Sequence, residues 1–178
     1  MSLARSTTLV ALAALSASAA AQQPPAPAPP PAKPAFEVQI KTTEPAHVAV
    51  LPMKGSYMQH PDAFGRLGGY LSGKGITPSG PAFGRYFSDP SVGEANLVWE
   101  VGFPVPAGVT VEAPYEIKDL PAALCATHVH RGPIEELGTA WGSLAEWVIS
   151  QGYQPLVPAM QRFKEDMSEV EMLMPVKK

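Results

Sequence analysis

The side chains best equipped for chemistry in this 178-residue chain are one carboxylate in an apolar strand and a set of aromatic residues. Glu100 stands in "LVWEVGF". A carboxylate among apolar neighbours is costly to bury without a partner. It therefore faces a ligand, faces solvent, or is held by a basic residue such as Arg85 or Arg131. Strand alternation puts Trp99 and Val101 on one face and Val98, Glu100 and Gly102 on the other. Tyr57, Tyr86, Trp141 and Phe163 offer aromatic walls, each adding about 0.5–2 kcal/mol toward a bound cation through its ring quadrupole. Trp141 fits plain core packing on a helix equally well. Glu100 with Tyr57 or Tyr86 could also serve as a general acid–base pair that hydrolyses a small reactive electrophile.

Other chemistries have weaker footing. His128 and His130 alternate on one strand face, a spacing that can bind zinc, but His47 and His60 lie in a different part of the chain and there is no cysteine pair. Neither a metal nor another cofactor is expected. No Gly-x-Ser-x-Gly elbow occurs, and "GGYLSGKG" lacks the spacing and the Lys-Ser/Thr ending of a phosphate loop. Cys125, the single cysteine, sits in "AALCATHV" and reads as a small core residue. The formal charge is -3, and -4 without Arg5, with no basic cluster. Such a surface is not built to neutralise phosphates, so nucleic acid is not expected as a partner.

What must position these residues is a phrase that occurs twice. "FEVQIKTTEPAHVAVLPMKGSY" from Phe36 aligns with the stretch from Tyr115 at an offset of 77 residues, placing Ile40 on Ile117, Gly55 on Gly132, Gly75 on Gly152 and Asp89 on Asp166. After a gap of six, "VWEVGFPV" falls on "EVEMLMPV", with Glu100 on Glu171 and Pro104 on Pro175. Self-similarity at a fixed period decides the fold. Each unit reads as β-α-β-β. "HVAVLPMKG" and "ALCATHVHRG" are strands stopped by glycine. "HPDAFGRLGGYLSGKG" and "PIEELGTAWGSLAEWVISQG" are helices, the second ending at a Gly152 cap and the first weakened by its paired glycines. "AFGRYFSD" with "NLVWEVGFPV" forms a hairpin, matched by "MQRFKED" with "EVEMLMPV". The units run over 36–105 and 115–176. Two such units around a pseudo-twofold axis give an α+β domain with a concave seam, the natural place for a ligand groove.

The front of the chain reads differently. "MSLARSTTLVALAALSASAAAQQ" has a positive residue, an apolar run and then small residues, the plan of a secretory signal peptide over 1–21, cleaved near Ala19–Ala21. The apolar run is too short to span a bilayer, so stable membrane insertion is not expected. "QQPPAPAPPPAKP" follows as a proline-rich tether over 22–35, favouring extended polyproline II. A domain then occupies 36–178. The expected location is the periplasm or outside the cell.

The stretch "LPAALCATHVHRGPIEELGTAWGSLAEWVISQGY" (Leu120–Tyr153), with "AFGRYFSDP" and "VWEVGFPV", resembles the GyrI-like effector-binding domain, also found behind the DNA-binding part of AraC- and MerR-type multidrug regulators. The resemblance covers Phe36 to the C-terminus. It implies paired βαββ units whose central groove takes apolar, often cationic, aromatic compounds, with an acidic residue pairing the cation. Some relatives inhibit DNA gyrase, and some look like hydrolases of strained electrophiles. The signal peptide and tether argue against the transcriptional and gyrase roles. The family's late Glu-x-Tyr step corresponds here to "QRF", so Gln161 replaces the carboxylate and Phe163 lacks the hydroxyl. Glutamine donates and accepts hydrogen bonds but neither balances a cation nor acts as a general base. The leading expectation is therefore non-catalytic binding of small apolar, aromatic or cationic molecules by Glu100, Tyr57, Tyr86, Trp141, Gln161 and Phe163. The alternatives are the Glu100–tyrosine hydrolase and a module that binds a partner protein.

Overall fold

The computed structural model describes residues 36–164 and 168–178, without the side chain of Pro90. The leader, the proline-rich segment and the Asp89–Asp166 match lie outside the described residues or depend on them. The domain is an α+β structure built on one antiparallel sheet with two helices. Its strands are β1 (Gln39–Thr42), β2 (Ala46–Lys54), β3 (Phe83–Tyr86), β4 (Val98–Pro104), β5 (Glu116–Leu120), β6 (Leu124–His130), β7 (Gln154–Pro155), β8 (Ala159–Phe163) and β9 (Val170–Lys177). The helices are α1 (His60–Gly73) and α2 (Leu137–Ser150). The sheet runs β1-β6-β9-β8-β3-β4-β2-β5, with β7 on β9.

This order reads alike from both ends. β1 precedes the first helix but pairs with β6, whereas β5 precedes the second helix and pairs with β2. The sequence reading had not assigned these two leading strands. They are short, polar and half-exposed, because an edge strand needs only one buried neighbour. At the centre β3 meets β8, and Gly84 lies opposite Gln161, its own counterpart under the 77-residue offset. The register repeats too: Glu100 pairs across with Arg85, and Glu171 with Arg162.

Cross-strand partners point to the same face of a sheet, so the pairs Tyr86–Trp99, Gly84–Gln161 and Gln161–Met172 define one face. Both helices cover that face. Ala63, Leu67 and Leu71 of α1 pack on Ala49, Leu51, Trp99 and Val101. Leu137, Ala140, Leu144 and Val148 of α2 pack on Ala126, Phe163, Met172 and Met174. Phe64 borders both clusters. The helices end alike, with Gly75 (φ 69°) and Gly152 (φ 76°) just past their last turns. There Ile76 N–H donates to Leu71 O and Tyr153 N–H to Val148 O, closing the orphan carbonyls. The glycine pair Gly68–Gly69 does not interrupt α1; the buried Leu67 and Leu71 on either side hold the helix through it.

The opposite face carries a smaller cluster of Val48, Val50 and Phe83. Gly102 is required there, since a β-carbon would come within 2.2 Å of the Phe83 ring. Among the described residues, no helix is long and apolar enough to cross a membrane.

Candidate functional site

The helix-covered face gathers most of the aromatic side chains where α1 overlies the central strands. The Tyr57 ring meets Tyr86 edge-on at 5.2 Å and Trp99 edge-on at 5.9 Å. His60, at the start of α1, stacks on Trp99 at 4.3 Å. One turn later Phe64 reaches across to Phe163 at 5.5 Å and to Phe103 at 6.1 Å. Trp141 occupies on α2 the position that Phe64 holds on α1 and packs against the second helix's cluster. Trp99 is buried, and its indole N–H donates to Gly55 O at 2.9 Å, which fixes the ring that forms the floor.

A polar chain crosses this floor. The Tyr86 hydroxyl is 3.0 Å from His60 Nε2 and bonds the Gln161 amide at Oε1, 2.7 Å away. His60 Nδ1 contacts the Tyr57 carbonyl, which can only accept, so this nitrogen carries a proton. The Tyr86 ring lies across Gly84, where a β-carbon would sit 2.7 Å from the hydroxyl. Glycine at that point is therefore what lets the hydroxyl span the central strand pair. Burial, and then the neighbouring Tyr57, push the Tyr86 phenol pKa above its ordinary value. Burial, and then Asp89, do the same to Tyr57. Burial lowers the pKa of His60, opposed by its bond to the Tyr57 carbonyl. All three groups are thus biased toward their neutral forms.

Glu100 is elsewhere. The sequence expectation that it joins the tyrosines is corrected by the strand pairing, which places it on the opposite face. There it is 1 % exposed. Its two oxygens accept from Arg85 Nη1 and Lys118 Nζ, each at 2.7 Å. Burial alone would lower the Lys118 pKa, but the hydrogen bond and charge of Glu100, aided by Glu116, raise it. Of the alternatives open in the sequence, the Arg85 pair is the one realised. Arg131 instead donates to Glu169 at 2.6 Å. A matching group occupies the other half of the sheet, where Lys41 and Arg162 both donate to Glu171. The sheet thus separates Glu100 from both candidate tyrosines, and the acid–base pair imagined for a hydrolase does not form.

Of the six expected ligand-binding residues, Tyr57, Tyr86, Gln161, Trp141 and Phe163 share the helix-covered face and Glu100 does not. Phe163 also lines a depression of about 210 Å³ beside Arg162, Lys164 and Glu169. The sequence reading missed His60 as a member of the aromatic cluster. It also missed Lys118. One signal was available: under the repeat, Lys41 falls on Lys118 and Arg85 on Arg162, just as Glu100 falls on Glu171. His128 and His130 are occupied by backbone, the first donating to Glu37 O at 2.8 Å and the second to Pro133 O at 3.1 Å.

Sheet order, paired helices and an aromatic cluster over the central strands define the class of α+β domain to which this chain belongs. The chain belongs to the GyrI-like small molecule binding domain family, whose model matches residues 36–177. Among solved structures, the EcmrR C-terminal domain is similar, with a TM-score of 0.71 and 22 % identity over 81 % of this chain and 99 % of that one. EcmrR in its DNA complex gives the same TM-score of 0.71 at 21 % identity over 80 % of this chain, which spans only 58 % of that protein's length. SAV2435 bound to tetraphenylphosphonium is more distant, with a TM-score of 0.54 and 10 % identity over 80 % of this chain and 94 % of that one. At these identities the likeness is one of fold. No curated protein sequence matches the chain.

Proposed function

We propose that the helix-covered face of this domain binds small apolar or aromatic molecules without transforming them, in a groove between its two halves, and that the protein is an exported sensor or scavenger of such compounds. The observation that carries the reading is the convergence of Tyr57, His60, Phe64, Tyr86, Trp99 and Phe163 around one partly buried hydrogen-bonded chain. Aromatic walls with a few fixed polar atoms are the usual makeup of a small-molecule site. Support for the ligand class comes from SAV2435, whose structure holds tetraphenylphosphonium. Export is supported by the order of positive, apolar and small-residue zones in the first 21 residues.

The test is fluorescence titration of the full chain with N-phenyl-1-naphthylamine, a neutral aromatic probe that brightens in apolar surroundings. Saturable one-to-one binding is expected, weakened about tenfold or more by Tyr57→Ala through loss of a ring wall. A probe that never saturates, or one indifferent to Tyr57→Ala, would sink the assignment of the site. Cell fractionation tests export, with a chain shortened near Ala19–Ala21 expected outside the cytoplasm.

A further inference from the structure

We propose that Gln161, set by Tyr86 and His60, selects neutral aromatic ligands that carry a hydrogen-bond donor, such as phenols and indoles, over lipophilic cations. The inference rests on the small-molecule-binding reading above and names the chemistry of the ligand.

It begins with proton counting. In one arrangement, Tyr86 donates to Gln161 Oε1 and His60 Nδ1 donates to the Tyr57 carbonyl. The 3.0 Å contact between Tyr86 and His60 Nε2 then needs a second proton on the imidazole, which makes it imidazolium. Neutral imidazole demands the reverse direction. Tyr86 then donates to Nε2, and the Gln161 amide turns so that its –NH2 donates to the Tyr86 oxygen. Amide oxygen and nitrogen are assigned by the network around them, so both orientations fit the same heavy-atom positions. Burial of His60 favours the neutral form, and with it the turned amide. In that state the Gln161 carbonyl oxygen is the atom left over. Beyond Tyr86, the Gln161 amide has no hydrogen-bond partner among the described residues. An oriented carbonyl on a largely buried residue, not fully shut from solvent and without a protein donor, is open to a ligand N–H or O–H.

Charge points the same way. Gln161 supplies no negative charge, and Glu100 and Glu171 belong to the other face, each tied to an arginine and a lysine. A cation entering the aromatic cluster would give up water for ring faces and neutral dipoles, with one exposed carboxylate, Asp89, acting at its Tyr57 edge. A phenol or indole would stack on the same rings and meet the carbonyl.

Calorimetric titration of the full chain with 1-naphthol, 1-methoxynaphthalene and tetraphenylphosphonium tests this. The first two differ in the donor, and the third supplies charge. We expect 1-naphthol to bind roughly tenfold tighter than 1-methoxynaphthalene, the worth of one net hydrogen bond, and tighter than tetraphenylphosphonium. Gln161→Leu should erase the gap between the two naphthalenes, with circular dichroism and a thermal melt of the variant certifying its fold. Gln161→Glu should gain tetraphenylphosphonium binding. Equal affinity for the two naphthalenes, or preference for the cation, in the unaltered chain would overturn the inference while leaving the binding site standing. A gap that survives Gln161→Leu would overturn the role of Gln161. If none of the three compounds binds, the small-molecule reading fails first and this one with it.

Discussion

Glu100 and Glu171 occupy matching places in the two halves of the sheet, each accepting from one arginine and one lysine, yet their surroundings differ. The Glu100 side chain is 2 % exposed with both partners at 2.7 Å, whereas that of Glu171 is 24 % exposed and its arginine is 3.4 Å away. Removing one member of a buried pair strands the others, at a cost of about 3–5 kcal/mol, while exposed pairs are worth about 0–1 kcal/mol. Glu100→Gln should therefore destabilise by roughly 3 kcal/mol, the low end because Lys118 can reach water. Glu171→Gln should cost about 1 kcal/mol or less. Urea unfolding of both variants measures the difference. Equal losses would show that burial does not separate the two clusters. Glu100→Gln should leave probe affinity of the folded protein unchanged, since the sheet lies between it and the aromatic cluster.

Gly84 and Gly102 should both resist substitution, but with different consequences. At Gly102 an added β-carbon meets three atoms of the buried Phe83 ring between 2.2 and 2.8 Å. Phe83 is held by Val48 and Val50, so Gly102→Ala should cost about 2–3 kcal/mol with no specific effect on binding. At Gly84 the added carbon meets the Tyr86 hydroxyl at 2.7 Å. That hydroxyl is the far end of a ring that can swing, so Gly84→Ala should cost about 1 kcal/mol in stability and disconnect Tyr86 from Gln161. Thermal melts beside probe titrations separate the two effects. Loss of binding in Gly102→Ala alone would reverse this assignment.

The Trp99 indole has a role distinct from its size. Its N–H donates to Gly55 O, and Gly55 sits at φ 98° in the turn that leads into Tyr57. Trp99→Phe leaves that carbonyl without its donor and removes part of a buried ring. A loss of about 2–3 kcal/mol is expected in urea unfolding. Because the turn sets Tyr57, probe affinity should weaken as well. A variant that melts early but binds normally would show that Gly55 does not position Tyr57.

Much of this arrangement was legible before any coordinates, and for a physical reason. Glycines at helix ends, apolar positions and strand periods are properties of local chain geometry, so the repeat carried them: the helices, the hairpins and the Gly152 cap all fall where the spacing puts them. Strand alternation even separated Glu100 from Trp99 correctly. What it did not carry was which tyrosines lie on which side, because that depends on the pairing of β3 with both β4 and β8, a non-local fact. His60 was weighed only as a zinc ligand and set aside, since nothing in its neighbourhood reveals that α1 places it over Trp99. β1 and β5 escaped because their partners lie 66 to 88 residues away and their own residues are mostly polar.

The lowered pKa of His60 makes stability pH-dependent in a definite direction. Its folded pKa lies below its value of about 6.5 in the unfolded chain, so the unfolded state binds the proton first. The contribution of the neutral imidazole is complete above about pH 6.5 and is lost as pH falls through that value toward the folded pKa, with a slope of up to about 1.4 kcal/mol per pH unit. Tyr57 and Tyr86, the titratable groups touching His60, are raised above their ordinary values and stay neutral throughout this window. Asp89, whose pKa is lowered by its bonds to Ser91, would change charge only at more acidic pH. The midpoint of thermal unfolding should therefore fall between pH 7 and pH 5. In His60→Phe, which keeps the ring against Trp99 but cannot take a proton, the fall over that interval should be shallower. Identical pH profiles for the two proteins would mean that another group titrates there. They would also remove the case for a neutral His60 as the end of the hydrogen-bonded chain.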